Sequence, residues 1–84
     1  MSQLAKLAAG TTIEVDAEGG SMFPLIRNGD SVLVRPIDRK LRVGDVVLLV
    51  LDGRWILHRI VELTAVTVRT QGDNQAQADH PVGL

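Results

Sequence analysis

Alternation of apolar and polar residues dominates the chain, and a two-residue period is typical of strands that are buried on one face. In TIEVDAE, residues 12–18, the apolar side chains share one face and the carboxylates share the other. VVLLVL, residues 46–51, is apolar throughout and predicts a buried strand. The predicted strands cover residues 12–18, 31–37, 46–51, 54–63 and 65–70. Short strands joined by turn residues indicate an all-β barrel or sandwich.

Glycine and aspartate mark several connections between these strands. Asp52-Gly53 predicts a tight hairpin turn between two strands. The dipeptide Gly-Asp also occurs at three other places, ending in Asp30, Asp45 and Asp73. The first two copies each precede an apolar strand, so their aspartates are predicted to cap turns. The third copy precedes no strand, and turn chemistry does not account for it.

Three segments outside the predicted strands carry other signals. Residues 2–9 carry apolar side chains at helical spacing and are followed by Gly10, which predicts a short N-terminal helix. Pro24 cannot take part in a regular ladder, so residues 19–30 are predicted to form a loop or one helical turn. Residues 71–84 are mostly polar and are predicted to be irregular.

Composition narrows the functional classes. With 84 residues we expect one small domain, residues 1–84. A net charge of -1 and only two aromatic residues argue against a nucleic-acid partner. Because cysteine is absent, disulfides and thiolate zinc sites are excluded. No apolar run approaches the ~20 residues of a membrane-spanning helix, and no signal peptide is evident, so we expect a soluble, cytoplasmic chain unless a partner attaches it to a membrane.

Ser21, within GGSMFP, is the candidate nucleophile. Gly-Gly-Ser by itself is more typical of a turn, and a serine hydroxyl needs a base to take its proton. Lys6 lies in the presumed helix and Lys40 lies among other cations, so neither suits a base that must lose its charge. His58 lies in the apolar strand WILHRIV, whereas His80 lies beside a proline near the end of the chain. Either histidine alone is more typical of a structural or exposed residue.

The order of several short blocks is more specific than any of them. They are Gly20-Ser21-Met22 with Pro24, Gly29-Asp30 before SVLV, Gly44-Asp45-Val46-Val47, His58-Arg59-Ile60-Val61, and Gly72-Asp73-Asn74 followed by Asp79. In this order they resemble the type I signal peptidases, within the LexA and signal-peptidase superfamily. The closest resemblance is to the endoplasmic-reticulum and archaeal branch, which uses histidine where most bacterial relatives use lysine. It runs from about residue 13 to residue 82.

The resemblance implies a β-rich peptidase fold and a role for each matching residue. Ser21 matches the nucleophile, and its backbone N–H would help bind the oxyanion. His58 matches the general base. Asp79 matches the third catalytic residue, because it falls six positions after the aspartate of Gly-Asp-Asn. Asp73 is that aspartate and would support the geometry of the site, although the sequence leaves open which of the two aspartates orients the base.

The resemblance also implies a substrate, a leader peptide or a precursor protein, and no cofactor. We expect shallow pockets lined by the strand before Gly19 and by Met22 and Phe23, which favour small side chains before the cut. An extended substrate would add to the edge of TIEVDAE by backbone pairing. A histidine base predicts activity that rises with pH near ~6.5, whereas a lysine base would act at higher pH.

Two departures from the relatives leave alternatives open. Many relatives have a serine two positions before the nucleophile as an oxyanion donor, where this chain has Gly19. They also carry a membrane anchor, which a partner would have to supply here. A weak or inactive relative that binds peptides is therefore the main alternative. A LexA-type self-cleaving repressor domain ranks lower, since it needs a lysine base, and a metal site among His58, His80, Asp73 and Asp79 ranks last because no ligand spacing is visible.

Overall fold

The computed structural model describes residues 10–84 and, for the backbone alone, residues 3–4. The strands are β1 (Gln3–Leu4), β2 (Ile13–Asp16), β3 (Ser31–Val34), β4 (Val46–Leu51), β5 (Arg54–Leu63), β6 (Thr67–Gln71) and β7 (Val82–Gly83). Five of them form one antiparallel sheet in the order β1-β4-β5-β6-β7, and β2 pairs with β3 in a second. The outer strands β1 and β7 contact each other, so the larger sheet curls. This architecture confirms the all-β prediction.

The β4–β5 hairpin has the predicted bounds. Asp52 and Gly53 have φ angles of 51° and 79°, which both lie in the left-handed region that a two-residue hairpin turn requires. The turn sets the register, with Leu51 opposite Arg54 and Val47 opposite His58. A local turn signal therefore fixes where the candidate base lies in the sheet.

β2 and β3 are shorter than their sequence patterns. Beyond Asp16, the N–H of Ala17 donates to the carbonyl of Asp30, and the N–H of Gly29 donates to the carbonyl of Ala17. Two residues then oppose one, which ends the regular ladder as a bulge does. β3 ends at Val34, before Pro36, whose nitrogen has no hydrogen to donate.

Asp30 and Asp45 cap turns, as predicted. Each aspartate accepts a hydrogen bond through Oδ2 from the backbone N–H of an arginine three residues earlier, at 2.7 Å from Arg27 and 3.0 Å from Arg42. At the second turn the guanidinium of Arg39 also donates hydrogen bonds to both carboxylate oxygens of Asp45, at 2.9 and 3.1 Å. That hydrogen bonding lowers the pKa of Asp45 to about 2.

Two predictions about the chain ends are wrong where the structure describes them. Gln3 and Leu4 pair with Val50 and Leu49 in β1, so they do not belong to a helix; the rest of the predicted helix lies outside the described residues. Near the C-terminus, Val82 and Gly83 pair with β6 and Val82 is buried. Both strands are two residues long. They form because each pairs with unpaired backbone groups at the edge of a neighbouring strand.

The hydrophobic core lies on one face of the five-stranded sheet. Leu49, Ile60, Val68 and Val82 form its buried centre, one from each of β4 to β7. On β5 the buried positions His58 and Ile60 alternate with half-buried ones, so the imidazole points to the same side as the core. In the part of the chain described, no helix has the length and apolarity that crossing a bilayer requires.

Candidate active site

Ser21 lies in the turn that follows β2. The N–H of Phe23 donates to the carbonyl of Gly20 at 3.1 Å, and the N–H of Ile26 donates to the carbonyl of Met22 at 3.0 Å. These bonds coil residues 20–26 tightly around the serine. Ser21 is thus a turn residue, as its glycine neighbours suggest, and the turn holds its hydroxyl against β5.

The imidazole of His58 lies between a hydroxyl and a carboxylate. Its Nε2 is 3.1 Å from Ser21 Oγ, and its Nδ1 is 2.6 Å from Asp79 Oδ2. An ionised carboxylate can only accept, so Nδ1 carries the hydrogen and Nε2 is left to accept the hydrogen of the Ser21 hydroxyl. His58 is only 4% exposed, so water has little access to compete for these bonds. The structure therefore brings three of the predicted residues into one chain of hydrogen bonds.

Asp79 is held from two sides. Its N–H donates to the carbonyl of Thr70 at 2.7 Å, and the hydroxyl of Thr70 donates to its Oδ2 at 2.8 Å. The guanidinium of Arg69 donates to the Asp79 carbonyl at 3.3 Å. The same carboxylate oxygen thus serves both His58 and Thr70.

Asp73 does not bond to the imidazole. It accepts two hydrogen bonds from the Arg59 guanidinium, each 2.9 Å long, and Arg59 also donates to the carbonyl of Gly44 at 2.7 Å. Hydrogen bonding from Arg59 lowers the pKa of Asp73 and keeps its carboxylate ionised. Because Arg59 follows His58 in β5, this pair fastens the Gly-Asp-Asn loop beside the imidazole.

The third Gly-Asp copy docks on the Ser21 turn. The N–H of Asn74 donates to the Ser21 carbonyl at 2.7 Å, and its side-chain amide donates to the Gly20 carbonyl at 3.0 Å. A Cβ on Gly72 would lie 2.5 Å from the Ser21 carbonyl oxygen, so only glycine permits this approach. The N–H of Asp73 also points at the sulfur of Met22, 3.3 Å away.

A cleft of about 340 Å³ opens beside Ser21. β2 contributes Val15 to one wall and β5 contributes Trp55 and Leu57 to another, with Met22 between them. Phe23, predicted beside Met22 as a substrate contact, does not line this cleft. Its half-exposed ring lies under the guanidinium of Arg27, 6.0 Å from the ring centre.

Comparison with known proteins adds the family. The profile of the family described as Peptidase S24-like matches residues 3–84. The chain belongs to the peptidase S24-like family. It is also 35% identical, over 66 residues, to the signal peptidase complex catalytic subunit SEC11 of Lodderomyces elongisporus. These matches confirm the signal-peptidase-like resemblance and the LexA-like fold.

The similarity to that relative is partial in length. The matched region takes in 71% of this chain and 40% of the relative, so the chain spans well under half of that protein. No solved structure matches the chain significantly. The family therefore rests on the sequence of nearly the whole chain, and the details of the site rest on its own geometry.

The backbone N–H groups of Ser21 and Gly19 differ in whether they are already hydrogen-bonded. Within the described residues, the N–H of Ser21 donates no hydrogen bond, whereas the N–H of Gly19 donates to Asn28 Oδ1 at 2.9 Å. Gly19 has a φ of +79°, a conformation that side chains with a Cβ rarely adopt. The backbone of this turn thus favours glycine at position 19.

The other candidate groups are not gathered at Ser21. His80 Nε2 lies 3.8 Å from Asp52 Oδ1, and Lys40 is exposed in the loop before β4. Lys6 lies outside the described residues. Among the residues described, no three histidine or acidic side chains are arranged to hold a metal ion.

Sequence reasoning missed Thr70 and Asn74 as parts of the site. Thr70 is a polar residue on the buried face of β6, where Val68 also points inward. A buried hydroxyl needs a hydrogen-bond partner, so a threonine at a buried position of a strand indicates that some polar group lies beside it. The partner itself comes from a separate loop, and residue spacing does not identify it.

Proposed function

We propose that this chain is a serine endopeptidase that cleaves leader or signal-type peptides by a Ser-His-Asp mechanism. One observation carries the proposal: Asp79, His58 and Ser21 form a continuous relay, with spacings of 2.6 and 3.1 Å. Membership of a peptidase family supports the reaction class.

In the first step, Ser21 Oγ attacks the carbonyl carbon of the scissile peptide bond while His58 Nε2 takes the hydroxyl proton. Asp79 keeps the Nδ1 hydrogen in place and stabilises the imidazolium that forms. The imidazolium then gives its proton to the amine that leaves. Water repeats the sequence at the acyl-serine and releases the second product.

The oxyanion would be bound by the backbone N–H of Ser21, which has no other partner within the described residues. The N–H of Gly19 is engaged by Asn28, and glycine offers no hydroxyl. Loss of one oxyanion donor typically costs ~10²–10³ in rate. We therefore expect a slower enzyme than a relative that has both donors.

An extended peptide fits the walls of the cleft. Among the described residues, β2 pairs only with β3, and β5 pairs with β6 only from Arg59 onward, so there residues 54–58 keep one unpaired edge. A peptide between these two edges would add to both sheets by backbone hydrogen bonds. The apolar walls, with Val15, Met22 and Leu57, would then accept small apolar side chains next to the scissile bond.

The partners follow from the same proposal. The relative SEC11 is the catalytic subunit of a signal peptidase complex, and this chain corresponds to part of its length. We infer a precursor protein as substrate and a membrane-attached partner that would bring this chain to it.

Gly19 favours one alternative, a peptide-binding module with little catalysis. Its missing hydroxyl weakens stabilisation of the transition state but leaves the cleft and its strand edges intact. A module of this kind would bind extended peptides in the same cleft without forming an acyl-serine.

A peptide-library digest read by mass spectrometry tests the proposal. Wild type, Ser21→Ala and His58→Ala are compared, with His80→Ala as the matched control for histidine removal. We expect cuts after small residues in wild type and His80→Ala, and none in the other two. Binding of the same peptides without cleavage in wild type would establish the binding module instead.

A further inference from the structure

Thr70 lies behind the proposed relay. It is 1% exposed, and its hydroxyl donates to Asp79 Oδ2, the oxygen that also receives the Nδ1 hydrogen of His58. The Asp79 N–H returns a hydrogen bond to the Thr70 carbonyl at 2.7 Å. A buried residue thus contacts the proposed orienting carboxylate through its side chain and the backbone N–H of the same aspartate through its own carbonyl.

Asp79 Oδ2 accepts hydrogen bonds from two donors, Thr70 and His58, and the two donors compete for its electron density. A hydrogen bond to an ionised group is stronger than one between neutral groups, and it stabilises the charged form. The Thr70 hydroxyl therefore makes the carboxylate a weaker partner for a proton on His58. It also fixes the carboxylate plane, because the oxygen must face Thr70 and His58 together.

We propose that Thr70 is a positioning residue of this peptidase, which aligns the Asp79 carboxylate and limits how strongly it retains a proton on His58. The inference rests on the proposed function for its catalytic consequence. Its physical basis, the bond from hydroxyl to carboxylate, does not depend on cleavage.

The charged groups around the imidazole set the direction of the effect. Asp79 bonds to Nδ1, and Asp73, which is paired with Arg59, lies close enough for a charge on His58 to help lower its pKa. Arg69 on β6 reaches only the Asp79 carbonyl. Loss of the Thr70 hydroxyl changes none of these charges, so any change in titration reports the hydrogen bond itself.

The test uses Thr70→Val, which keeps the branched shape and removes the hydroxyl, and Thr70→Ser, which keeps the hydroxyl. Thr67→Val is the matched control, because Thr67 is on the same strand and its hydroxyl bonds to Thr64 at 2.7 Å. Two readouts are taken on folded protein: NMR titration of the imidazole nitrogens, with His80 as an internal reference, and the pH profile of kcat/KM.

We expect Thr70→Val to move the His58 titration midpoint upward by about 0.5 to 1 pH unit, because the carboxylate it faces has lost a donor. The rise of kcat/KM with pH should move upward by the same amount. At pH values below the midpoint, activity should therefore fall about threefold to tenfold. Thr70→Ser and Thr67→Val should follow wild type, and His80 should not move.

An unchanged His58 midpoint in folded Thr70→Val would overturn the inference, as would lower activity with both pH midpoints unmoved, since that marks a structural residue. Failure of the proposed function has a different signature: wild type would cleave nothing, while the His58 midpoint would still move in Thr70→Val.

Discussion

Asn74 and Ser21 lie in different loops, yet the backbone N–H of Asn74 donates to the Ser21 carbonyl across 2.7 Å. The Asn74 side chain donates to the carbonyl of Gly20 as well. The loop that carries Asp73 therefore also fixes the turn that carries the candidate nucleophile.

Asn74→Ala removes the side-chain bond to Gly20 but keeps the backbone bond to Ser21. A neutral hydrogen bond contributes ~0.5–1.5 kcal/mol, so we expect kcat/KM to fall about threefold to tenfold, mostly in kcat. Steady-state kinetics on a cleaved peptide measures the effect. Gln77→Ala, an exposed change in the same loop, is the control. An equal loss of kcat/KM in both variants would contradict a specific role for the bond from Asn74 to Gly20.

Gly72→Ala places a methyl group 2.5 Å from the Ser21 carbonyl oxygen. Overpacking of this kind typically costs ~1–3 kcal/mol, and here it must push the Ser21 turn away from His58. We expect a lower free energy of unfolding and a loss of cleavage larger than that of Asn74→Ala. Gly83→Ala, where the added Cβ meets nothing within 4 Å, is the control. Full activity in Gly72→Ala would contradict the close docking of the two loops.

Gly19→Ala tests the backbone before the nucleophile. Because Gly19 has a φ of +79°, an alanine there should cost ~1–2 kcal/mol of unfolding free energy. Gly20→Ala is the adjacent control, since Gly20 has neither a positive φ nor an atom within 4 Å of an added Cβ. Chemical denaturation measures both variants. Equal stabilities would show that residue 19 does not need the left-handed conformation.

Asp73→Asn should reveal a pH-dependent contribution to stability. Hydrogen bonding from Arg59 lowers the pKa of Asp73 below its ordinary value of 3.8, so the folded state favours the carboxylate. The stabilisation is therefore present above about pH 4 and is lost as the pH falls through the lowered pKa. Thermal melts from pH 7 to about pH 2.5 should show wild type and Asp73→Asn converging at the acid end. A difference that stays constant with pH would rule out the ion pair as its source.

The sequence contains the local determinants of this fold but not the tertiary ones. Alternation in β2 and the Asp52-Gly53 turn are local, and both predict the strands to within a few residues. β1 and β7 form only because neighbouring strands offer unpaired edges, so a pattern of two residues carries no signal for either. The N-terminal helix was predicted from the helical spacing of apolar residues. At Gln3 and Leu4, pairing with the edge of β4 forms a strand instead.

In the candidate site, too, local motifs predict some residues, whereas others depend on tertiary contacts. The motif order suggested Ser21, His58 and Asp79, and the fold brings Ser21 and Asp79 each within hydrogen-bonding distance of His58. It also suggested Phe23, which turns toward Arg27 because its neighbour Met22 fills the buried side of the turn. Thr70 depends on a contact between a strand and a distant loop, so motif order alone does not indicate it.

The most direct test of the account is the pH dependence of kcat/KM in wild type, Ser21→Ala and Lys40→Ala. A histidine base predicts cleavage that rises between about pH 5.5 and 7.5, unchanged by Lys40→Ala and abolished by Ser21→Ala. Cleavage that persists in Ser21→Ala would contradict the central claim. So would a rise confined to pH values above about 8 that disappears in Lys40→Ala, since that would identify a lysine base.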